Sequence, residues 1–282
     1  MKVAIKHITE QQFSTAPVRV ENYCIYMLQG EGDFVVDGTP YSYKGNTLLF
    51  LTPFQYFQWV AATHKEAVLL QFHGDFYCIE YHKKEVACNG LLFNALFLQP
   101  HIAVREAVFD EIELLFGRIE EELASTDEYS GAVLRSYLQL ILALSSKAKS
   151  LQIADVPSPL NHNLLTDFQQ LVETHFITQR DLPFYAEALH LSVDSFAKKI
   201  KRQLGKTPLQ LLQERLILEA KKQLHLTYKS IKEVAYYLNF DDPFYFSRFF
   251  KKHVGVSPKE FRESVGISIV AEKSISLHPK IK

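Results

Sequence analysis

Phe196-Ala-Lys-Lys-Ile-Lys-Arg-Gln-Leu-Gly-Lys-Thr-Pro208 and Phe246-Ser-Arg-Phe-Phe-Lys-Lys-His-Val-Gly-Val-Ser-Pro258 are two copies of one pattern within the stretch Asp181 to Arg262. Phe196 matches Phe246, Lys198 matches Arg248, Gly205 matches Gly255 and Pro208 matches Pro258, each pair 50 positions apart. A repeat at fixed offset is one supersecondary unit built twice. Two copies are too few for a solenoid. The pattern therefore predicts a pair of similar modules.

Each copy reads as helix, tight turn, helix. In the second, Ser230 and Glu233 form a Ser-x-x-Glu capping box, in which two side chains satisfy amides at a helix start. Ile231, Val234, Ala235 and Leu238 then share one helical face. Asn239-Phe240-Asp241 breaks that helix. Asp242 is an N-cap, with Pro243 at the first helical position, where a missing amide is harmless. From Pro243 to His253 the inner stripe is Phe246, Phe249 and Phe250, with Arg248, Lys251 and Lys252 off it. Gly255 supplies a left-handed C-cap. Ser257-Pro258-Lys259-Glu260 opens a further helix. The first copy repeats this from Asp181, with Leu182, Tyr185, Ala186 and Leu189 inward. Ser192 caps a second helix carrying Phe196 and Ile200 inward and Lys198, Lys199, Lys201 and Arg202 outward. Gly205 ends it, and Thr207-Pro208-Leu209-Gln210 starts the next. A small alanine, Ala186 or Ala235, lets the two helices of each module cross closely. A short helix turned onto a basic second helix is the helix-turn-helix pattern, whose second helix lies in the major groove of DNA.

Ser230 to Phe240, Asp241 to Lys252 and Gly255 to Arg262 together resemble the signature of AraC/XylS-type transcription regulators. The resemblance spans about 100 residues, from roughly Leu164 to Arg262. Asn239 stands where that family usually has glycine, and asparagine also tolerates the left-handed conformation. Asp194 stands at a position that often reaches bases or phosphate in the family. An acid there either stabilises the helix N-terminus or accepts from a cytosine amine.

The whole chain has 282 residues and a net charge of −1, which hides an asymmetry. From Leu160 onward there are 19 Lys and Arg against 13 Asp and Glu, net +6; before it there are 12 against 19, net −7. An acidic front half joined to a basic back half fits a polyanion-binding module on a partner that does not bind polyanions. Three cysteines do not make a disulfide framework. No stretch reaches 18 uninterrupted apolar residues, so no membrane association is expected. The N-terminus lacks a signal-peptide core, and a cytoplasmic protein is expected.

Residues 1 to about 97 read as β. Cys24 to Leu28 is a β-branched and aromatic run, and Asp37-Gly38 is a hairpin turn. Short strands continue through Thr47 to Leu51, Gln58 to Ala62 and Ala67 to Phe72, with turn signals every eight to twelve residues. This predicts a small barrel or double sheet. Gly30 to Pro53 resembles the cupin-type arm that precedes many AraC-type domains. A metal-binding cupin would show a His-x-His pair here; none occurs between Gly30 and Gln58, which argues against a cupin-like enzyme fused to a DNA-binding domain. Residues about 101 to 124 and 130 to 148 read as two amphipathic helices. Their stripes are Val104, Val108, Ile112, Leu115, Phe116, Ile119 and Leu123, and Val133, Leu134, Tyr137, Leu138, Ile141 and Leu144. They either pack on the barrel or form a dimer contact, as such a pair often does in the family; a stripe alone does not name what it buries.

The expected organisation is therefore α+β. A cupin-like β-barrel followed by a helix pair (1–150, sensor and dimerisation) leads through a linker (151–162) to an all-α domain with two helix-turn-helix units (163–264) and a tail (265–282).

Other chemistry is thinner. His73, Cys78, His82 and Cys88 are a Cys2His2 set in 16 residues. Their spacing matches no known finger, and a buried cysteine with solvated histidines around a strand end is the plainer reading. Phe34, Tyr41, Tyr43, Phe50, Phe54, Tyr56, Phe57 and Trp59 either fill the barrel or line a small-molecule pocket. No glycine-rich phosphate loop or catalytic triad is present, and no cofactor is expected. On DNA, Arg248 is the best-placed base reader, for guanine, and Phe244 meets a thymine methyl. Asp194, Ala197 and Lys198 face the groove from the first module. Lys201, Arg202, Lys251 and Lys252 hold phosphates. The resemblance implies a sequence-specific regulator, more often an activator than a repressor, that contacts RNA polymerase. A homodimer is expected, with a small-molecule effector in the barrel or, alternatively, a barrel that only dimerises.

Overall fold

The computed structural model describes residues 2–9, 12–62, 66–77, 91–93, 96–125, 127–154 and 162–266. The chain divides into two compact units between residues 156 and 157.

The first unit is built on two antiparallel sheets. Five strands, Val3–Thr9 (β1), Glu66–Phe72 (β8), Tyr23–Leu28 (β3), Thr47–Leu51 (β6) and His101–Ala103 (β9), lie in the order β1-β8-β3-β6-β9. Four more, Val18–Arg19 (β2), Tyr56–Ala62 (β7), Glu31–Val36 (β4) and Thr39–Lys44 (β5), lie in the order β2-β7-β4-β5. Among the described residues the strands form two separate sheets that do not close into a barrel; the arrangement is cupin-like. The β4–β5 hairpin turns on Asp37 and Gly38, with φ of 49° and 79°, as a two-residue turn with both central residues left-handed requires.

Sequence pattern tells the sheets apart. Almost every residue of β3 and β6 is buried, because the larger sheet is covered on both faces. Cys24, Tyr26, Leu28, Leu49, Leu51 and Leu69 share a core with Phe34, Val36, Phe57 and Trp59 of the smaller sheet. Ile25, Met27, Leu48, Phe50, Leu70 and Phe72 pack instead with two helices, Glu106–Leu123 (α1) and Ser130–Ala154 (α2). Burying a large apolar side chain is worth about 1.5–3 kcal/mol relative to exposure. Ile112, Phe116, Ile119, Leu138 and Ile141 are all deeply buried, so the helix pair docks on its own sheet.

Three local expectations change. Residues 101–103 are a strand paired with Thr47–Leu49, not the first turn of a helix. Helix α1 starts only after Arg105, whose backbone is extended. Helix α2 runs to Ala154, into residues read as linker, because its pattern continues past 148 with buried Lys149, whose Nζ donates to the Gln99 carbonyl at 2.8 Å.

The second unit is helical: His162–His175 (α3), Leu182–Ala188 (α4), Val193–Leu204 (α5), Pro208–Leu226 (α6), Ile231–Tyr237 (α7), Pro243–Val254 (α8) and Pro258–Val265 (α9). The capping reading is realised at Ser192, Thr207, Ser230, Asp242 and Ser257, whose side chains accept from amides of the first turn. Such a cap is worth about 1 kcal/mol. Asp181 occupies the N-cap of α4 but makes no such bond. Gly205 and Gly255 end α5 and α8 at φ of 71° and 81°, where a side chain would be strained. The linker residues 155–161 and the tail from 267 lie outside the described residues. No described helix is long and apolar enough to cross a membrane.

Candidate nucleic-acid interface

The two modules superpose in sequence with a shift of register. N-caps Asp181 and Ser230, and Ala186 and Ala235, lie 49 positions apart; Phe196 and Phe246 lie 50 apart. The second turn therefore carries one extra residue. Both turns pass through a left-handed residue at the same point, His190 at φ 55° and Asn239 at φ 59°. In each module the first helix buries its alanine, so the second helix packs close against it.

Helices α5 and α8 are anchored from within. Phe196 and Ile200 are fully buried, and the Phe196 ring meets Phe168 of α3 edge-on at 5.0 Å. Phe246, Phe250 and Val254 do the same for α8, with the Phe246 ring 5.2 Å from Phe240 of the turn. Phe249, read as inward, is half-exposed and lies between the Phe240 ring at 5.4 Å and the His253 ring at 4.6 Å.

Anchoring these faces leaves the others open. Asp194, Lys198, Lys201 and Arg202 on α5 are exposed, and Ala197 is half-buried. Phe244, Arg248, Lys251 and Lys252 on α8 are exposed. Phe244 is 79% accessible and forms, with exposed Tyr245, a small apolar patch at the start of α8. The Arg248 guanidinium lies 4.0 Å from the Asp242 carboxylate, at the edge of ion-pair range and open to solvent. That carboxylate is occupied in accepting from the Phe244 and Tyr245 amides at 2.8 and 3.1 Å. Arg248 is thus steered by the cap without being spent on it. Asp194 lies in the first turn of α5, where a negative charge complements the helix N-terminus.

One exposed aromatic escaped the sequence reading. Tyr245, 54% accessible, stands beside Phe244 at the α8 start and off the inner stripe. Its signal was an aromatic residue at a position where the helical period calls for none.

Helix α6 joins the modules and is pinned to α3. The Arg215 side chain donates to both Glu173 oxygens at 2.9 and 3.0 Å and lies 3.9 Å from the Phe176 ring centroid. Its other arm reaches Glu219 at 3.4 Å. Burial alone would raise the Glu219 carboxyl, but the Gln223 hydrogen bond and the Lys222 and Arg215 charges hold it below its ordinary range. It is therefore a buried, satisfied anion. On the α9 side, Arg262 donates to the carbonyls of Leu224 and Lys229 at 3.0 and 2.6 Å, fixing the α6–α7 connection.

In the first unit, Phe34, Tyr43 and Trp59 lie between the two sheets, and Tyr41 packs on their edge. Phe50 sits on the opposite face of the larger sheet, toward the helices, so it does not share a space with Phe34, Tyr43 and Trp59. The period of two in β6 places Leu49 and Leu51 inward and Phe50 away from them. A ring unforeseen as part of this group, His101, meets Phe34 edge-on at 5.4 Å. Burial, and secondarily the Lys149 charge, push its pKa down to about 4. Of the Cys2His2 set only His73 lies among the described residues; its Nδ1 accepts from the Asp75 amide at 3.2 Å, and Cys78, His82 and Cys88 lie outside them. Among the described residues no group of three metal-competent side chains gathers.

Comparison with known proteins places this geometry. A family model described as a helix-turn-helix domain matches residues 185–264. The HTH-type transcriptional activator RhaS of Escherichia coli O157:H7 is 26% identical over 244 residues, covering 83% of this chain and 82% of RhaS. Among solved structures, an apo ToxT variant from Vibrio cholerae strain SCE256 is 15% identical, covers 94% of this chain and 98% of its own, and has a TM-score of 0.44. The C-terminal domain of AraT, a response regulator from Geobacillus stearothermophilus, is 32% identical over 39% of this chain and 92% of its own, with a TM-score of 0.36. The matched domain begins at Tyr185 inside the first module and ends at Ser264 after the second, so it takes in both turns and both basic helices. The second unit thus carries a helix-turn-helix domain, and most of the chain is similar to an HTH-type transcriptional activator.

Proposed function

We propose that α5 and α8 enter two major-groove segments about 34 Å apart, one helical turn of DNA. The carrying observation is the matched pair of capped helices, each buried by aromatic and aliphatic anchors on one side and open with cationic side chains on the other. Arg248 reads guanine through a bidentate contact, and exposed Phe244 meets a thymine methyl. Asp194, Ala197 and Lys198 read the other segment. Lys201, Arg202, Lys251 and Lys252 neutralise phosphates and fix register. The protein acts in the cytoplasm as an activator, a homodimer that contacts RNA polymerase. RhaS, which matches over most of both chains, is itself a transcriptional activator.

The N-terminal unit, residues 1–150, serves as the sensor and dimerisation domain. A small-molecule effector would act there by binding two states of the protein with different affinity. A second reading, in which this unit only dimerises, is favoured by the filled space between the sheets. The Phe57 and Trp59 rings meet at 4.8 Å, Tyr26 and Phe57 at 5.3 Å, and Phe34 and Phe57 at 6.0 Å.

Selection of duplexes from a random library by the full-length protein tests the DNA reading. An enriched sequence with two blocks one turn apart, one containing guanine beside thymine, is expected; an unenriched pool would refute it. Native mass spectrometry of the full chain then separates the two sensor readings. A dimer carrying a dissociable small mass supports the effector, and an unliganded dimer supports the dimeriser.

A further inference from the structure

We propose that Arg180 is a positioning residue for DNA recognition: it ties the entrance of the first helix-turn-helix module to the turn of the second and so fixes the rotation between α5 and α8. The proposal rests on the two-segment reading above.

Its first half is anchorage in module one. Tyr185 of α4 is fully buried, and its hydroxyl donates to the Gln179 carbonyl at 2.9 Å. The next residue is Arg180, and the one after it is the N-cap of α4. The Arg180 backbone therefore moves with the first module.

Its second half is what the side chain does. The guanidinium donates to the carbonyls of Leu238 and Asn239, the latter at 2.9 Å, and lies over the Phe240 ring at 4.1 Å from its centroid. Those three residues are the turn of module two. Leu238 ends α7, Asn239 takes the left-handed conformation, and the Phe240 ring packs on Phe246 and Phe249 of α8. A displacement of the turn is thus handed to the inner stripe of the helix that carries Arg248.

The contact is demanding in geometry. One guanidinium nitrogen, Nη2, donates to both carbonyls while the plane of the group covers an aromatic ring; a compact, strongly hydrated ammonium does not stack in this way. Helix α6 is the covalent link between the modules, and a helix alone does not fix how a module at each end is rolled about it. The Arg180 strut bridges 58 and 59 positions of chain and ties the modules to each other directly, beyond the packing of each on α6. Its repeat equivalent, Lys229, turns instead to its own first helix and to the linking helix α6, with its Nζ 4.0 Å from the Tyr237 ring centroid and donating to Gln223 Oε1 at 3.0 Å. The two modules are therefore alike in fold but not in this bond.

The test uses the full-length chain and a duplex selected from a random library by the wild-type protein, remade with the two blocks one base pair closer and one base pair further apart. Binding is read by fluorescence anisotropy at fixed salt. For the wild type, either shift is expected to cost on the order of tenfold, the worth of one bidentate base contact. Arg180→Ala is expected to cut that penalty to about threefold or less while leaving affinity for a duplex with a single block within about twofold. Arg180→Lys is expected to behave as Arg180→Ala. Retained single-block binding certifies a folded module. An Arg180→Ala protein with the wild-type spacing profile, or one that loses single-block and two-block binding alike, would overturn the strut. A wild-type protein indifferent to spacing would overturn the two-segment reading and the strut with it.

Discussion

His190 and Asn239 hold the same left-handed backbone, φ 55° and 59°, at matching points of two turns 49 positions apart. Neither is glycine. A non-glycine residue in this region costs about 1 kcal/mol, less for asparagine, whose short polar side chain bonds locally. His190→Gly is accordingly expected to stabilise the second unit by about 0.5–1 kcal/mol, and Asn239→Gly to change it by about 0.5 kcal/mol or less. Asn239→Val should destabilise by about 1–2 kcal/mol. Urea titration followed by far-UV circular dichroism measures all three. A His190→Gly protein less stable than wild type would mean that the imidazole holds the turn through contacts that outweigh its backbone cost.

Arg248 is exposed and only steered by Asp242, so its removal should leave the fold intact. Arg248→Ala is expected to weaken binding to the selected duplex by about 1–3 kcal/mol and to random DNA far less. Equal losses on both would reassign Arg248 to phosphate.

The exposed cations further along each helix should behave in the opposite way. Lys251→Ala and Lys201→Ala are each expected to weaken selected and random duplexes alike, and each to lower the slope of log K against log salt by about 1. Titrations at four or more salt concentrations give that slope. A substitution that changes sequence preference while leaving the slope untouched would make the lysine a base reader.

The N-terminal unit should be acid-labile through His101. Its pKa is pushed down to about 4 in the fold, first by burial and then by Lys149, from an ordinary 6.5. Between those values the unfolded chain binds the proton and the folded chain does not. The stability this residue leaves intact at neutral pH is therefore lost as pH falls from about 6.5 towards 4, by about 3 kcal/mol. Trp59, the one tryptophan, lies between the sheets and reports this unit alone. His101→Phe should flatten the pH dependence of its urea midpoint in that window. An unchanged dependence would place the titrating group elsewhere.

Legibility in the sequence followed the range of the interactions. Caps, glycines and inner stripes of α4–α5 and α7–α8 are set within a few residues, and Ser230, Asp242, Gly255 and Phe246 sit where their spacing implied. The double sheet was readable from the Asp37-Gly38 turn and from short runs such as Cys24 to Leu28 set off by turn signals. Residues whose roles depend on distant partners were not. His101 read as helix because the strand it joins, β6, lies fifty positions back, and Arg180 carried no reading because its carbonyl partners lie in the other module. Phe50 was grouped with the rings of the smaller sheet because composition does not say which face of a doubly covered sheet a residue takes.

Hydroxyl-radical footprinting of the full-length protein on its selected duplex tests the two-module mode of DNA binding most directly. Two protected windows on one face of the duplex, centred about 10 base pairs apart, are expected, with the window assigned to α8 weakened in Arg248→Ala. A single window, or two windows on opposite faces, would contradict it.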